Sequence, residues 1–347
     1  MKKLIQKVNR HLTHSIFLTL CFACGSSSDD ITDGENPMER DFNLILTLET
    51  EQDQIGDLSN NAMAIFNGVV WSVGGNRSGV RDNITDIWRS DNAVAWESVS
   101  FNAFSRRTDH TLTNYDNKLW VIGGRDNTGD TLGEVWSSED GTSWDLITET
   151  PAFTGAVNHD VVVFNNRLYL ISRNIEDPDK TSVWSSANGE DWELEADNAF
   201  SGRDEFKAVV FNNIIYVLGG FDPAVGVLTM TNEIWTSTDG ATWSQLEPSS
   251  IFQPRYGHTA TVYNDKVFVA GGLGREGSSL AIQGNLWYSE DMINWFEYEP
   301  FRSDTGILEH SALTFDGKLW LFFGIEAETG AILDGDVSGK IFSILEE

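Results

Sequence analysis

The sequence predicts an all-β fold, a six-bladed β-propeller of four-stranded blades. Tryptophan recurs as a doublet with a fixed spacing of eight, at Trp88/Trp96, Trp136/Trp144, Trp184/Trp192, Trp235/Trp243 and Trp287/Trp295. The doublets follow one another at 48, 48, 51 and 52 residues, a period that belongs to radial β-arrays. No segment reads as a strong helix, whereas short alternating apolar runs bounded by Asn, Asp and Gly occur throughout.

Each element of the blade follows from stacking the repeats on their glycine doublets, Gly74-Gly75, Gly123-Gly124, Gly219-Gly220 and Gly271-Gly272. Two further units carry Ser172-Arg173 and Phe323-Gly324 at that place, which brings the count to six. Three residues before each stands an aromatic: Trp71, Trp120, Tyr169, Tyr216, Phe268 and Trp320. Eight residues before stands another: Phe66, Tyr115, Phe164, Phe211, Tyr263 and Phe315. Between the two columns lies a two-residue turn such as Asn67-Gly68 or Asn264-Asp265, whose residue types tolerate the positive φ of a tight hairpin. Strand a (His258–Tyr263 in unit five) and strand b (Lys266–Ala270) are thereby set. A variable loop leads to strand c with the first Trp (Asn232–Thr236 in unit four), and the turn Ser237–Gly240 leads to strand d with the second.

Unit six has strand b at Lys318–Phe322 and a strand at Lys340–Ile344, then ends without strand d. An orphan strand, Asn43–Leu48, precedes unit one. Pairing the two completes the last blade, closes the ring and removes open sheet edges. Residues 41–347 are then a single propeller domain.

These columns resemble the kelch repeat, which carries the same Gly-Gly doublet, following aromatic strand and distal Trp, with Arg-x-x-His at Arg107–His110 and Arg255–His258. Unit three departs in lacking Gly-Gly, and unit six in lacking Gly-Gly and both Trp. The c–d turn Ser237–Trp243 also resembles a sialidase Asp-box shortened by one residue, a structural element there too.

The N-terminus reads as an address. Lys2, Lys3, Lys7 and Arg10 precede the apolar run Ile16–Ala23, which is too short to span a membrane, so residues 1–23 read as an export signal. Leu20–Gly25 resembles a bacterial lipobox, with Cys21 where Leu is usual and Cys24 as the lipidated residue. The acidic tether of residues 24–40, beginning Gly25-Ser26-Ser27-Ser28-Asp29-Asp30, resembles that of Bacteroidota surface lipoproteins, which implies a lipid-anchored outer-membrane protein facing the cell surface. Removal of residues 1–23 leaves 19 Lys and Arg against 53 Asp and Glu, a formal charge of −34 rather than −30. Such a surface repels phosphate backbones and excludes nucleic acid as a partner. With Cys24 lipidated, no thiol remains for a disulfide, a Cys-ligated metal or a cysteine nucleophile. The Tyr–Cys site of kelch-type copper oxidases is excluded for the same reason.

Candidate chemistry gathers where strand a begins, at Asn61, His110, His159, Phe206, His258 and His310, with Arg107, Asp109, Arg203, Asp204, Arg255, Tyr256 and Glu309 beside them. A His ring admits a metal or a scaffold reading. The spacing around a central channel is too wide for tetrahedral zinc, and no metal or other cofactor is expected. Arg107, Arg203 and Arg255 either hold an anionic ligand group or pair with local carboxylates. Asp126, Asp130, Asp177 and Asp179 are loop acids of a kind that gathers calcium, or ordinary surface charge. All 13 Trp fall in repeat columns, which leaves Tyr256, Phe221 or Phe206 as platforms for a sugar ring.

The first functional expectation is a non-catalytic surface lipoprotein that binds a glycan or protein through its b–c loops, with Arg107, His110, Arg203, Arg255, Tyr256, His258 and Glu309 as ligand contacts. The alternative is an enzyme resembling the kelch-propeller sialic acid mutarotase, a sugar-acid mutarotase or epimerase with Arg and Glu or His at the pore. A glycoside hydrolase or lyase using rim carboxylates is a third, for which no pair can be named. Deleting residues 42–48 is expected to cause aggregation or loss of cooperative unfolding; a soluble, sharply melting deletion would sink the closure scheme.

Overall fold

The computed structural model describes residues 42–347 apart from 51–54, 78–82, 224, 226–228, 277–278, 299–304 and 329–335. The expected signal segment, Cys24 and the 24–40 tether lie outside the described residues. Every regular element among the described residues is a β-strand, and no helix is long and apolar enough to cross a membrane. Six large antiparallel sheets follow the repeat: five have four strands and that of unit one has a fifth, Leu58–Ser59, on its b strand. This is an all-β architecture of the kind a β-propeller is built from.

The hairpin columns are read out directly. In unit five, strand a is Thr259–Tyr263 and strand b Lys266–Ala270, paired around Asn264-Asp265, both of which adopt positive φ. The a strands lie side by side in chain order, each against that of the next unit, and that of unit six also lies against that of unit one. In the sheet of unit six, Leu44–Thr50 pairs antiparallel with Ile341–Glu346, in the place strand d occupies elsewhere.

The second Trp of each doublet was expected within strand d, and it stands one residue before it. Strand d begins at Glu97, Asp145, Glu193, Ser244 and Phe296. The cause is the turn. In unit four Gly240 N donates to Ser237 Oγ (2.8 Å), Thr242 N to Asp239 Oδ1 (2.7 Å), and Trp243 Nε1 to Gly240 O (3.0 Å), which ties the indole to the turn rather than to the ladder.

The first glycine of the doublet makes the joint between units. A Cβ on Gly74 would stand 2.7 Å from His110 Cε1, on Gly123 2.9 Å from His159 Cε1, on Gly219 2.8 Å from His258 Cε1, and on Gly271 2.9 Å from His310 Cε1. In each case the histidine opens strand a of the following unit. His110 Nε2 lies 3.1 Å from Val73 O, and His310 Nε2 lies 2.9 Å from Thr259 Oγ1. The exceptions match. Unit three has Ser172 and unit four opens on Phe206; unit six has Phe323 and unit one opens on Asn61.

Three smaller sheets are built on the b–c regions expected to be variable loops, two of them with a strand from the preceding d–a connection. Leu273–Glu276 pairs with Ser279–Ile282 and Arg255–Tyr256, Thr305–Leu308 with Ile325–Glu328, and Phe221–Asp222 with Thr229–Met230. Leu273, Ile282, Leu308 and Ala327 bury a separate apolar cluster beneath the first two.

Gly219→Ala is expected to lower unfolding free energy by about 3 kcal/mol, since it adds a clash with His258 to the cost of positive φ. Gly317→Ala, at φ 71 with open space around it, should cost only about 1 kcal/mol. Equal losses in urea titrations would remove the histidine joint from the account.

Candidate functional site

The residue before strand a has left-handed backbone in every unit: Asn60, Asp109, Asn158, Glu205, Gly257 and Glu309 have φ between 51° and 62°. Hydrogen bonds run through this column from unit to unit. Glu205 N donates to Asn158 O (3.2 Å), Gly257 N to Glu205 O (3.3 Å), Glu309 N to Gly257 O (3.0 Å), and Asn60 N to Glu309 O (3.2 Å). Asn and Gly take this conformation readily, whereas Glu does so at a cost of order 1 kcal/mol. Two glutamates and an aspartate are therefore held at one level of a polar cavity of about 250 Å³, whose wall also includes Lys207 and Asp160.

The three acids sit in different surroundings. Asp109 pairs with Arg125 (2.6 Å), and burial raises its pKa against that partner. Glu309 Oε2 accepts from Asn60 Nδ2 (2.7 Å); burial and the charge of Asp109 raise its pKa nonetheless. Glu205 has an Oε2 sealed from solvent without a hydrogen-bond partner. Burial, then the charges of Glu309, Asp109 and Asp204, push its pKa up to about 8. Glu205 thus holds its proton far more firmly than an ordinary carboxyl, beside Asp109 and Glu309, whose values burial also raises. Tyr256 feels the same cluster: burial and the charges of Glu205 and Glu309 push its hydroxyl up to about 12, and its ring packs on Phe221 at 4.7 Å.

All six residues that open strand a line the cavity, including His110, His258 and Glu309's neighbour His310. Burial depresses the imidazoles of His110 and His159 to about 3 and that of His258 well below its usual value, so they are neutral joints between units. The arginines are elsewhere. Arg107, Arg203 and Arg255 are absent from the cavity wall and 0%, 2% and 0% exposed. Arg203 Nη2 meets Glu233 Oε2 (2.7 Å) and Ser201 Oγ (2.6 Å), its Nη1 meets Gly219 O (3.4 Å), and its guanidinium covers Phe200 at 5.1 Å. Arg107 repeats this with Glu134, Ser105, Gly123 and Phe104. Arg255 uses Asn285 Oδ1 and Gly271 O. Of the two readings open for the arginines, Arg107 and Arg203 show local pairing, each packed on a Phe and bonded to the glutamate two residues before the first Trp, whereas Arg255 packs on Phe252 with Asn285 in the glutamate's place.

Sequence reasoning named Glu309 and Tyr256 but passed over Glu205, Lys207 and Asp160. The available signal was the column before the histidines, where Asn, Asp or Gly stands in four units and Glu in two. Asp126 Oδ1 accepts from Thr128 N (2.8 Å) and Asp130 N (3.0 Å), and Asp177 pairs with Lys180 (2.8 Å). Among the described residues no group of three or more His, Cys, Asp or Glu is placed to hold a metal ion.

No protein-family profile and no curated protein sequence matches this chain. Its fold is nonetheless shared. A solved structure described as "Structure of YjhT" aligns with a TM-score of 0.66 over 86% of this chain and 97% of that one. Sequence identity is 17%, so the likeness is one of fold.

Because the folded pKa of Glu205 lies above the unfolded carboxylate value, its contribution to stability is intact below about pH 4.5 and is lost as pH rises through about 8. Glu205→Gln is therefore expected to melt like the parent at pH 4 and clearly higher at pH 9. A melting difference independent of pH would contradict the placement of this carboxyl.

Proposed function

We propose that the chain is an exported lipoprotein, anchored through Cys24 to the outer membrane and exposed at the cell surface, whose six sheets form a closed six-bladed kelch-type ring around a sugar-binding central cavity. The lipobox-like Leu20–Gly25 and the acidic tether support the address. Contact between strands a of units six and one, the pairing of Leu44–Thr50 with Ile341–Glu346, and the matched exceptions Phe323 and Asn61 support closure.

The function best supported is proton transfer on a sugar, of the mutarotase or epimerase class, and the observation that carries it is the Glu205 carboxyl on the wall of a polar cavity, its Oε2 buried without a hydrogen-bond partner. Neutral Glu205 donates its proton to the ring oxygen of a cyclic sugar as the bond from that oxygen to the anomeric carbon breaks. Glu309, held by Asn60 Nδ2, takes the proton of the anomeric hydroxyl, leaving an open-chain carbonyl. Rotation about the adjacent bond and reversal of both transfers closes the opposite anomer. Lys207 is the cation on the cavity wall suited to a sugar carboxylate, the part first expected of the arginines. A second reading, non-catalytic binding of a glycan or protein at the loop face, is favoured by the ribbons of units five and six, which give that face an apolar core of its own.

Anomer exchange of sialic acid and of neutral aldoses, followed by NMR with the full chain, separates the two. Glu205→Gln and Glu309→Gln should each slow exchange by roughly 10²-fold or more, and the wild-type rate should fall as pH rises through about 8. Exchange no faster than in buffer would leave the binding reading standing.

A further inference from the structure

Unit three lacks two groups that units two and four use together. The arginine column, three residues after the Phe of Phe104, Phe153, Phe200 and Phe252, reads Arg107, Ala156, Arg203 and Arg255. The acidic column, two residues before the first Trp, reads Glu134, Ser182, Glu233 and Asn285. Ala156 and Ser182 thus stand where the buried ion pairs Arg107–Glu134 and Arg203–Glu233 stand elsewhere.

The space has not closed up. A cavity of about 220 Å³ opens in unit three, lined by Phe153, Thr154, Ser172, Ser182 and Trp184 among others. These occupy the positions that receive the guanidinium in the sister units. Thr154 corresponds to Ser105 and Ser201, whose hydroxyls accept from Nη2 at 2.5 and 2.6 Å. Ser172 corresponds to Gly123 and Gly219, whose carbonyls accept from Nη1. Trp184 corresponds to Trp136 and Trp235, whose indoles donate to the paired glutamate at 2.9 and 3.0 Å. The cavity wall also carries exposed carboxylates, Glu176 and Asp197. The cation on that wall, Arg173, is committed to both oxygens of Asp204 at 2.7 and 3.2 Å.

We propose that this cavity is a binding site for the guanidinium of an arginine-bearing ligand, which inserts where the protein's own arginine lies in units two and four. Backbone and hydroxyl acceptors inside fix the planar fork, and Glu176 and Asp197 at the wall supply the charge that Ser182 no longer does. The site is separate from the Glu205 cavity and does not depend on the reaction proposed there.

The test is a titration of the full chain followed through its indole N–H resonances, with that of Trp184 identified by Trp184→Phe. N-acetyl-L-arginine amide should shift the Trp184 signal saturably, and N-acetyl-L-lysine amide should bind about tenfold more weakly because an ammonium cannot reproduce the fork. The double substitution Ala156→Arg with Ser182→Glu rebuilds the ion pair, fills the slot and should abolish the shift while the protein still melts cooperatively. Should that variant not fold, Glu176→Gln with Asp197→Asn, both at exposed positions, should weaken binding roughly fivefold. Tighter binding of Gly-Arg-Gly than of free L-arginine would assign the ligand to a polypeptide, and the reverse to a small molecule. Absence of a saturable shift, equal affinity for the lysine amide, or an unchanged shift in the folded rebuilt variant would overturn the proposal.

Discussion

Where strand b of one unit has no Cβ, an imidazole of the next unit can rest against its backbone, and the spacing between neighbouring sheets is set by that fit. Gly74, Gly123, Gly219 and Gly271 leave no room for even a methyl group. The histidines that fill the space are buried, and burial depresses the imidazoles of His110, His159 and His258, so those joints involve shape rather than charge. The turn before strand d makes a second joint on the same principle, with Gly240 under the ring of Tyr169 from the unit before. Between the two joints runs the left-handed column, whose backbone hydrogen bonds also pass from unit to unit. The placement of Glu205 and Glu309 is a by-product of this scaffold: their backbones are fixed by neighbours on both sides, which is what the proposed proton transfer would require.

Much of the fold was legible because the constraints repeat. Aromatic columns three and eight residues before the glycine doublet bracket strands a and b, and the Asn, Asp and Gly between them declare the turn. The pairing of Leu44–Thr50 with Ile341–Glu346 was legible by elimination, since one sheet lacked a strand and one strand lacked a sheet. The ribbon from Leu273 to Ile282 was not, because it occurs outside the repeat and Gly274 and the polar residues around it resemble an ordinary loop. The second Trp was misplaced by a residue because its indole answers to a turn carbonyl, a preference invisible in strand periodicity.

The site was legible only in part. An arginine in a chain of net charge −30 draws attention as an anion holder, yet Glu134 and Glu233 stood in a repeat column of their own and could have been matched to Arg107 and Arg203. Glu205 was hidden for the opposite reason. One more acid among 53 carries no signal until its backbone is seen in a conformation its side chain does not favour, beside Asn158 and Gly257 whose side chains do. Departures from a repeat proved more informative than the repeat: Glu in a column of Asn and Gly marks one cavity, and Ala156 in a column of Arg marks the other.

The strand Leu44–Thr50 bears on how the chain reaches this state. Asn43 and Glu347, whose side chains meet at 3.4 Å, are 304 positions apart, so Leu44–Thr50 has no partner until Ile341–Glu346 has been made. Units one to five can each form their hairpins from local sequence as the chain emerges, whereas the sixth sheet waits until Ile341–Glu346 has been made. Until then a strand carrying Leu44, Ile45, Leu46 and Leu48 remains unpaired. That ladder is therefore the pairing with the largest loop-closure cost: hairpins within the units form from neighbouring residues, whereas Leu44–Thr50 and Ile341–Glu346 must meet across almost the whole described chain.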